Sequence, residues 1–472
     1  MFHLTMAWQY LGPGGVAGRH SLCPQRSFRA LRIPLRSIPA RHFHARGIYS
    51  TAGPRKPKGT GYMPKVDTPR QLYKPHFRSN PAQRLGLHTA SVDSKDVNLE
   101  PHGKFPRFWL RENCQCSDCI HPITRQRMLD TFSLPEDIQV ESVDIGSENV
   151  SVKWSDGHDA VYPRSWLNDH KLPPSLEPTQ DVLKFRDFRF VSGNKGHPIV
   201  EYQDVMESKK GLANWLKEIV SYGYCMVRGV PLEPEATQGL LERIAFIRHT
   251  HYGGFWDFTS DLTYKDTAYT SDFLGVHTDN TYFSDPARLQ LFHLLSHTGG
   301  EGGETLLADG FRAAQVMCAE DEANVQALID IPQPWHSSGN DDVCIQPYQL
   351  FPVFERDELS GILQRIRWNN YDRAVKVDWE PHVAERWYSA ARHWNSILGR
   401  EDIQIQMQLE PGTALIFDNW RILHGRTAFR GKRRMCGGYI NNDDFVSRYR
   451  LLNDGREKTL NNIGTFDARI TP

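Results

Sequence analysis

From Leu274 onward the chain is punctuated by short runs of β-type residues: "ARLQLFHLLS", "GETLLAD", "RIRWNNY", "TALIFDNWRILHG" and "MCGGYIN". Apolar runs of this length, bounded by Gly, Asn and Pro, read as strands rather than helices. Two stretches with apolar residues at helical spacing interrupt them, "FRAAQVMCAEDEANVQALIDI" and "HVAERWYSAARHWNSILG". Two more, "GLANWLKEIVSYG" and "EATQGLLERIAFIRH", precede them. Many short strands separated by helices bury their apolar faces most simply as an antiparallel sandwich or jelly roll, with the helices outside. The expected class is mainly β with flanking helices.

A smaller β unit lies upstream. Between Phe105 and Leu167 the runs "VESVDI", "VSVKW" and "AVYP" alternate with Gly, Asn and Asp, and "KLPPSLEPTQD" then marks a hinge. The chain begins differently. No acidic residue precedes Asp67, while seven arginines lie between Arg19 and Arg46 among Ser, Ala, Leu and Phe. That is the composition of a mitochondrial transit peptide, followed by Pro/Gly/Lys-rich linker sequence. The expected organisation is a transit peptide over 1–50, a linker over 51–100, an N-terminal module over 101–172 and a large domain over 173–472. Lys+Arg and Asp+Glu both number 56, so no global field favours nucleic acid or a membrane surface. No run of eighteen apolar residues occurs, so no spanning helix is expected.

Two clusters carry chemistry. In "CQCSDC", Cys114, Cys116 and Cys119 stand too close for disulfide geometry but suit a tetrahedral zinc. His121 is near, but His158, in the turn of "VKWSDGHDAVYP", is better placed to fold back as the fourth ligand. The second cluster is "LGVHTDNTYF". His277 and Asp279 are two apart, and on an extended strand such residues face the same side. "PGTALIFDNWRILHGR" supplies His424 after an apolar strand, at a turn. Two imidazoles and one carboxylate make a facial set that suits Fe(II) and leaves positions open. Arg433, on the expected next strand, offers a fork for the distal carboxylate of a dicarboxylate, and Thr305 a hydroxyl beside it.

With these residues in place, the runs "WLRENCQCSDC", "AYTSDFLGVHTDNTYF", "GGETLLADGF", "RWNNYDRAV" and "FDNWRILHGR" resemble the γ-butyrobetaine/trimethyllysine dioxygenase family, 2-oxoglutarate- and Fe(II)-dependent enzymes of carnitine biosynthesis. The likeness covers nearly everything after the linker. It implies a double-stranded β-helix (jelly-roll) catalytic domain behind a module with a three-Cys, one-His zinc site. By that resemblance zinc falls on Cys114, Cys116, Cys119 and His158, iron on His277, Asp279 and His424, and 2-oxoglutarate on Arg433 with Thr305. Ascorbate is the implied auxiliary reductant, and a homodimer the implied assembly.

The resemblance also implies a trimethylammonium cage. Quaternary nitrogen donates no hydrogen bonds and is held by aromatic faces; Tyr252, Trp256, Tyr269 and Tyr439 match the family's cage. Asp266 stands where the butyrobetaine enzymes carry Asn, and a further carboxylate suits a substrate with an α-ammonium. Asn369 or Asn370 is the candidate for the substrate carboxylate. The implied activity is hydroxylation of trimethyllysine at its third carbon in the mitochondrial matrix, with succinate and CO2 as co-products. γ-Butyrobetaine hydroxylation is the alternative within the class. A non-catalytic zinc protein that binds trimethylammonium groups is the alternative outside it, disfavoured because mere binding needs no open iron site.

Overall fold

The computed structural model describes residues 90–93, 95–171, 181–193, 196–259, 270–358, 360–461 and 463. The expected transit peptide, most of the expected linker, the Pro-rich hinge, and both Asp266 and Tyr269 lie outside the described residues.

The described residues begin inside the stretch expected as linker. Strands β1 (Ala90–Val92) and β2 (Asp96–Leu99) pair antiparallel with each other, and β2 with β3 (Gly103–Pro106). The reason is visible in β2, whose alternation sends Val97 and Leu99 fully into a core with Phe105. A second meander, β4 (Val140–Ile145), β5 (Asn149–Trp154) and β6 (Asp159–Pro163), corresponds to the three runs read from sequence. Val150, Val152 and Trp154 alternate inward along β5 and pack with Leu110 and Leu167 from the helices Arg107–Glu112 and Arg164–Asp169.

The larger part holds β7 (Ile199–Glu201), β8 (Tyr224–Arg228), β9 (Trp256–Thr259), β10 (Leu274–His277), β11 (Leu289–Thr298), β12 (Thr305–Asp309), β13 (Phe354–Arg356), β14 (Leu363–Ile366), β15 (Gln404–Met407), β16 (Thr413–Asp418), β17 (Ile422–Arg426) and β18 (Lys432–Ile440). A six-stranded sheet runs β7-β8-β16-β11-β18-β9, and a four-stranded sheet runs β10-β17-β12-β15. All pairings are antiparallel except β7 with β8, so the core is a mixed β-sheet structure.

Strand periodicity explains the layering. On β16, Ala414 and Ile416 turn outward to pack under helices Lys209–Tyr222 and Asn442–Asn453. Leu415 and Phe417 turn inward and meet Leu307 and Ile422 of the four-stranded sheet. The outer face of that sheet, through Ala308 and Leu423, packs on helices Gly310–Glu320, Glu322–Asp330 and Pro381–Leu398. The first two of these were expected as one helical stretch. They separate at Asp321, whose φ of −161° is extended and whose carboxylate caps the second helix by accepting from the Ala323 and Asn324 amides.

The "RIRWNNY" run is strand only as far as Ile366. Beyond it, Trp368 leaves the ladder to bond Thr278: the Thr278 amide donates to the Trp368 carbonyl at 2.7 Å, and the Trp368 amide to the Thr278 hydroxyl at 3.0 Å. That exchange carries the "NNYD" segment to the same cavity as the histidines.

Candidate metal centres and active site

Three side chains meet at the mouth of the four-stranded sheet. His277 and His424 are cross-strand partners on β10 and β17, and their rings lie 4.4 Å apart. His424 therefore stands within a strand rather than at the turn expected for it. Asp279 lies just past the end of β10, which stops at His277, and it stands beside the histidines before the chain turns at Asn280, whose φ is +61°. Asp279 Oδ1 lies 3.2 Å from His277 Nε2 and 3.7 Å from His424 Nε2, and one donor atom of each residue lies within 4.8 Å of the others.

The neighbours prepare this set for a cation. His277 Nδ1 donates to the Gly275 carbonyl at 2.9 Å, which leaves the lone pair on Nε2. Gln290 Nε2 and the Tyr439 hydroxyl both donate to Asp279 Oδ2, at 2.7 and 2.8 Å. Asn419 clamps the Asp279 backbone, accepting from its amide at 2.7 Å and donating to its carbonyl at 3.0 Å. Burial opposes charge on Asp279, yet His424, His277 and the Tyr439 hydroxyl hold its carboxyl well below the usual range. Burial and then the His277 charge push His424 down to about 3. On His277 burial pulls downward, but Asp279 outweighs it and the net shift is upward. An anionic carboxylate beside a neutral imidazole is a donor set ready for a divalent metal, and its chemistry fits Fe(II).

The cavity beside this set is lined by Arg433 and Thr305, from β18 and β12. Arg433 is buried, its guanidinium lies 5.0 Å from the Phe429 ring centre, and its Nε has no protein partner among the described residues. Burial lowers its pKa against the pull of Glu304. An orphaned buried donor of this kind asks for an anionic ligand. Gly303 makes room for it: at φ +72°, a Cβ there would sit 2.9 Å from Arg433 Nη1.

Of the aromatic candidates, Tyr252, Trp256 and Tyr439 line the same cavity. Trp256 and Tyr439 meet edge to face at 6.2 Å. Tyr252 receives a hydrogen bond from Tyr282 at 3.4 Å. Asn369 lines the cavity too, with its Nδ2 donating to Asp372 at 2.8 Å. Asn370 does not; it is exposed, and its Oδ1 accepts from Arg373 at 2.9 Å.

Sequence reasoning missed Gln290, Asn419, Asp372 and Arg426. One signal was present. Gln290 is the lone polar residue breaking the apolar run "LQLF", facing inward between the outward Leu289 and Leu291.

In the N-terminal module Cys114, Cys116, Cys119 and His158 converge, with His158 Nε2 at 3.4, 3.6 and 3.7 Å from the three sulfurs. A tight turn forms the cluster: the Cys116 carbonyl accepts from the Cys119 and Ile120 amides. Burial pushes the Cys114 thiol up to about 12 and raises Cys119 as well, whereas Cys116 is held lower, despite burial, by the Asp118 and Cys119 amides. Arg111, which the sequence did not single out, donates to Cys119 Sγ at 3.4 Å and pairs with Asp156 at 2.8 Å. Four closed N/S donors with a cationic neighbour fit a structural zinc.

A buried two-histidine, one-carboxylate set, opening onto a pocket between β-sheets, defines a non-haem iron enzyme of the dioxygenase class. Sequence comparison narrows this. The profile of the taurine catabolism dioxygenase TauD, TfdA family matches residues 189–439, and the γ-butyrobetaine hydroxylase-like N-terminal profile matches residues 96–168. The chain belongs to the TauD, TfdA family of dioxygenases. It is 41% identical over 437 residues to a trimethyllysine dioxygenase of Neurospora crassa, covering 84% of this chain and 92% of that one. It is 37% identical over 354 residues to a mitochondrial trimethyllysine dioxygenase of Bos taurus (74% and 83%). A γ-butyrobetaine dioxygenase of a Pseudomonas species is 31% identical over 368 residues (77% and 93%).

Proposed function

We propose that this protein hydroxylates N6,N6,N6-trimethyllysine to 3-hydroxytrimethyllysine, with Fe(II) on His277, Asp279 and His424 and 2-oxoglutarate as cosubstrate. The observation that carries the reading is the triad opening onto a pocket that pairs a buried guanidinium, its Nε unpartnered among the described residues, with an aromatic wall. Greater identity to trimethyllysine dioxygenases than to the γ-butyrobetaine enzyme supports the choice of substrate.

Bound in this site, Fe(II) with 2-oxoglutarate and O2 supplies the oxidation of an unactivated C–H, with succinate and CO2 as co-products. The chain does the rest. Arg433, with Thr305, grips the distal carboxylate of the cosubstrate through charge-assisted bonds. Tyr252, Trp256 and Tyr439 present aromatic faces to the quaternary ammonium, each contributing roughly 0.5–2 kcal/mol. Ascorbate would serve as the auxiliary reductant, and Cys114, Cys116, Cys119 and His158 would hold a structural zinc in the N-terminal module. We read the two facing sheets as the double-stranded β-helix of the domain spanning 173–472, the zinc module as 101–172 with β1 and β2 leading into it, and the assembly as a homodimer. The basic, acid-free leader and the mitochondrial relative support residence in the mitochondrial matrix.

The test is mass spectrometry after incubation with Fe(II), 2-oxoglutarate, ascorbate and either trimethyllysine or γ-butyrobetaine. Addition of one oxygen to trimethyllysine, matched by succinate, is the expected result. Product from γ-butyrobetaine alone would overturn the substrate, and succinate without either product would overturn both.

A further inference from the structure

Two carboxylates line the cavity among its described residues, Asp279 and Asp372. The first is committed, with one oxygen facing the imidazoles and the other held by Gln290 and Tyr439. Asp372 has no part in the metal set. It is held in place all the same: its Oδ2 accepts from the Thr281 hydroxyl and from Asn369 Nδ2, both at 2.8 Å. Its backbone is pinned too, the amide donating to Asn369 and the carbonyl accepting from the His336 amide at 2.9 Å. Such fixing from several sides distinguishes it from a mobile surface acid. It also lines the same cavity as His277, Asp279 and His424.

We propose that Asp372 is the counter-charge for the α-ammonium of the substrate, and so the residue that sets preference for trimethyllysine over trimethylammonium acids lacking that amine. The proposal rests on the substrate reading above. Covalent geometry supplies the reason. In trimethyllysine the third carbon is two bonds from the α-nitrogen, about 2.5 Å away with ordinary bond lengths and angles. Any pose that offers this carbon to the metal therefore brings the ammonium beside the triad, while the quaternary nitrogen, four bonds off, reaches toward the aromatic wall. A group that pairs with the ammonium must stand near the triad on a rigid segment, and Asp372 does. A substrate without the amine forgoes this charge-assisted bond, which is how a polar site disfavours an analogue.

The experiment is a cycle of two proteins and two substrates: wild type and Asp372→Asn, each with trimethyllysine and with 6-(trimethylammonio)hexanoate, its des-amino analogue. Iron content and melting temperature are followed in parallel. The wild type is expected to favour trimethyllysine in kcat/KM by about tenfold to hundredfold, the range of a charge-assisted bond in a partly dry site. Asp372→Asn should lose most of that ratio, mainly through KM for trimethyllysine. Asp372→Glu, which keeps the charge but moves it by a methylene, should retain part of the ratio and serves if the Asn variant does not fold. An equal loss on both substrates would overturn the proposal, leaving Asp372 as a support for Thr281 and Asn369. Loss of the ratio in Asp266→Asn but not in Asp372→Asn would overturn it in favour of Asp266. No turnover of trimethyllysine by the wild type would remove the substrate reading, and the proposal with it.

Discussion

At the scale of single residues, the iron set is defined as much by what holds Asp279 as by Asp279 itself. With Gln290 and Tyr439 both donating to Oδ2, only Oδ1 faces the imidazoles, which favours one-oxygen ligation and keeps other positions open. Tyr439→Phe removes one donor without emptying the aromatic wall. Outer partners of this kind are worth roughly tenfold to hundredfold in metal affinity, so anaerobic Co(II) or Fe(II) titration should show a loss in that range; unchanged affinity would show the hydroxyl to be idle. Gly303→Ala acts at the other end of the pocket. A Cβ at φ +72° is strained and pushes Arg433 aside. The KM for 2-oxoglutarate should rise about tenfold or more, as expected for weakening a charge-assisted bond, with metal affinity little changed. A KM within error of the wild type would separate Arg433 from cosubstrate binding.

At the scale of elements, the pairing of β10 with β17 sets the distance between the two histidines. Gly425 stands at the closest approach: a Cβ there would lie 2.4 Å from the Leu274 carbonyl oxygen. Gly425→Ala must part the strands and so draw His277 from His424, although residue 425 is no ligand. Bound iron should fall well below one per chain while the far-UV circular dichroism stays nearly unchanged; full iron occupancy would mean the strands part without moving the rings. The zinc module is the second such element. Its core is small and its turn is closed by the cluster, so chelation or Cys116→Ser should release zinc and expose β4, β5 and β6 to hydrogen exchange before the larger sheets. Uniform protection across both regions after zinc loss would contradict a structural role.

Across the whole molecule, stability is expected to depend on pH through a histidine outside the iron set. His293, on β11, is buried, with Nδ1 bonded to the Thr237 hydroxyl at 2.7 Å. Burial pushes its pKa down to about 4 from an ordinary 6.5. Between these values the unfolded chain binds the extra proton and the folded chain resists it. Its contribution is therefore fully present above about pH 6.5 and is lost as pH falls toward 4. Urea unfolding should show stability dropping through that window, and His293→Gln should flatten the drop even if it lowers stability overall. An equal slope in both proteins would assign the acid sensitivity elsewhere.

Local chemistry made much of this protein legible in its sequence. Strand runs such as "TALIFD" and "VSVKW" announce themselves by period and by turn residues, and they stand where the structure has β16 and β5. The cysteine spacing and the H-x-D pair point to metals because few other arrangements of those side chains pay for their own crowding, and His158 and His424 were the partners that spacing and turn position suggested. Tertiary structure decided the rest. Asp279 is held beside the histidines by Asn419, 140 positions away, and β17 carries His424 inside a strand, because cross-strand pairing rather than local propensity chose the register. Asn369 and Asp372 enter the cavity, and Asn370 leaves it, because Trp368 exchanges bonds with Thr278, ninety positions away. Asn419 and Tyr439 hold Asp279 from 140 and 160 positions away, and such partners leave no pattern in their own neighbourhood. A sequence specifies which groups can do the chemistry through short-range preferences. Long-range packing alone specifies which of them meet.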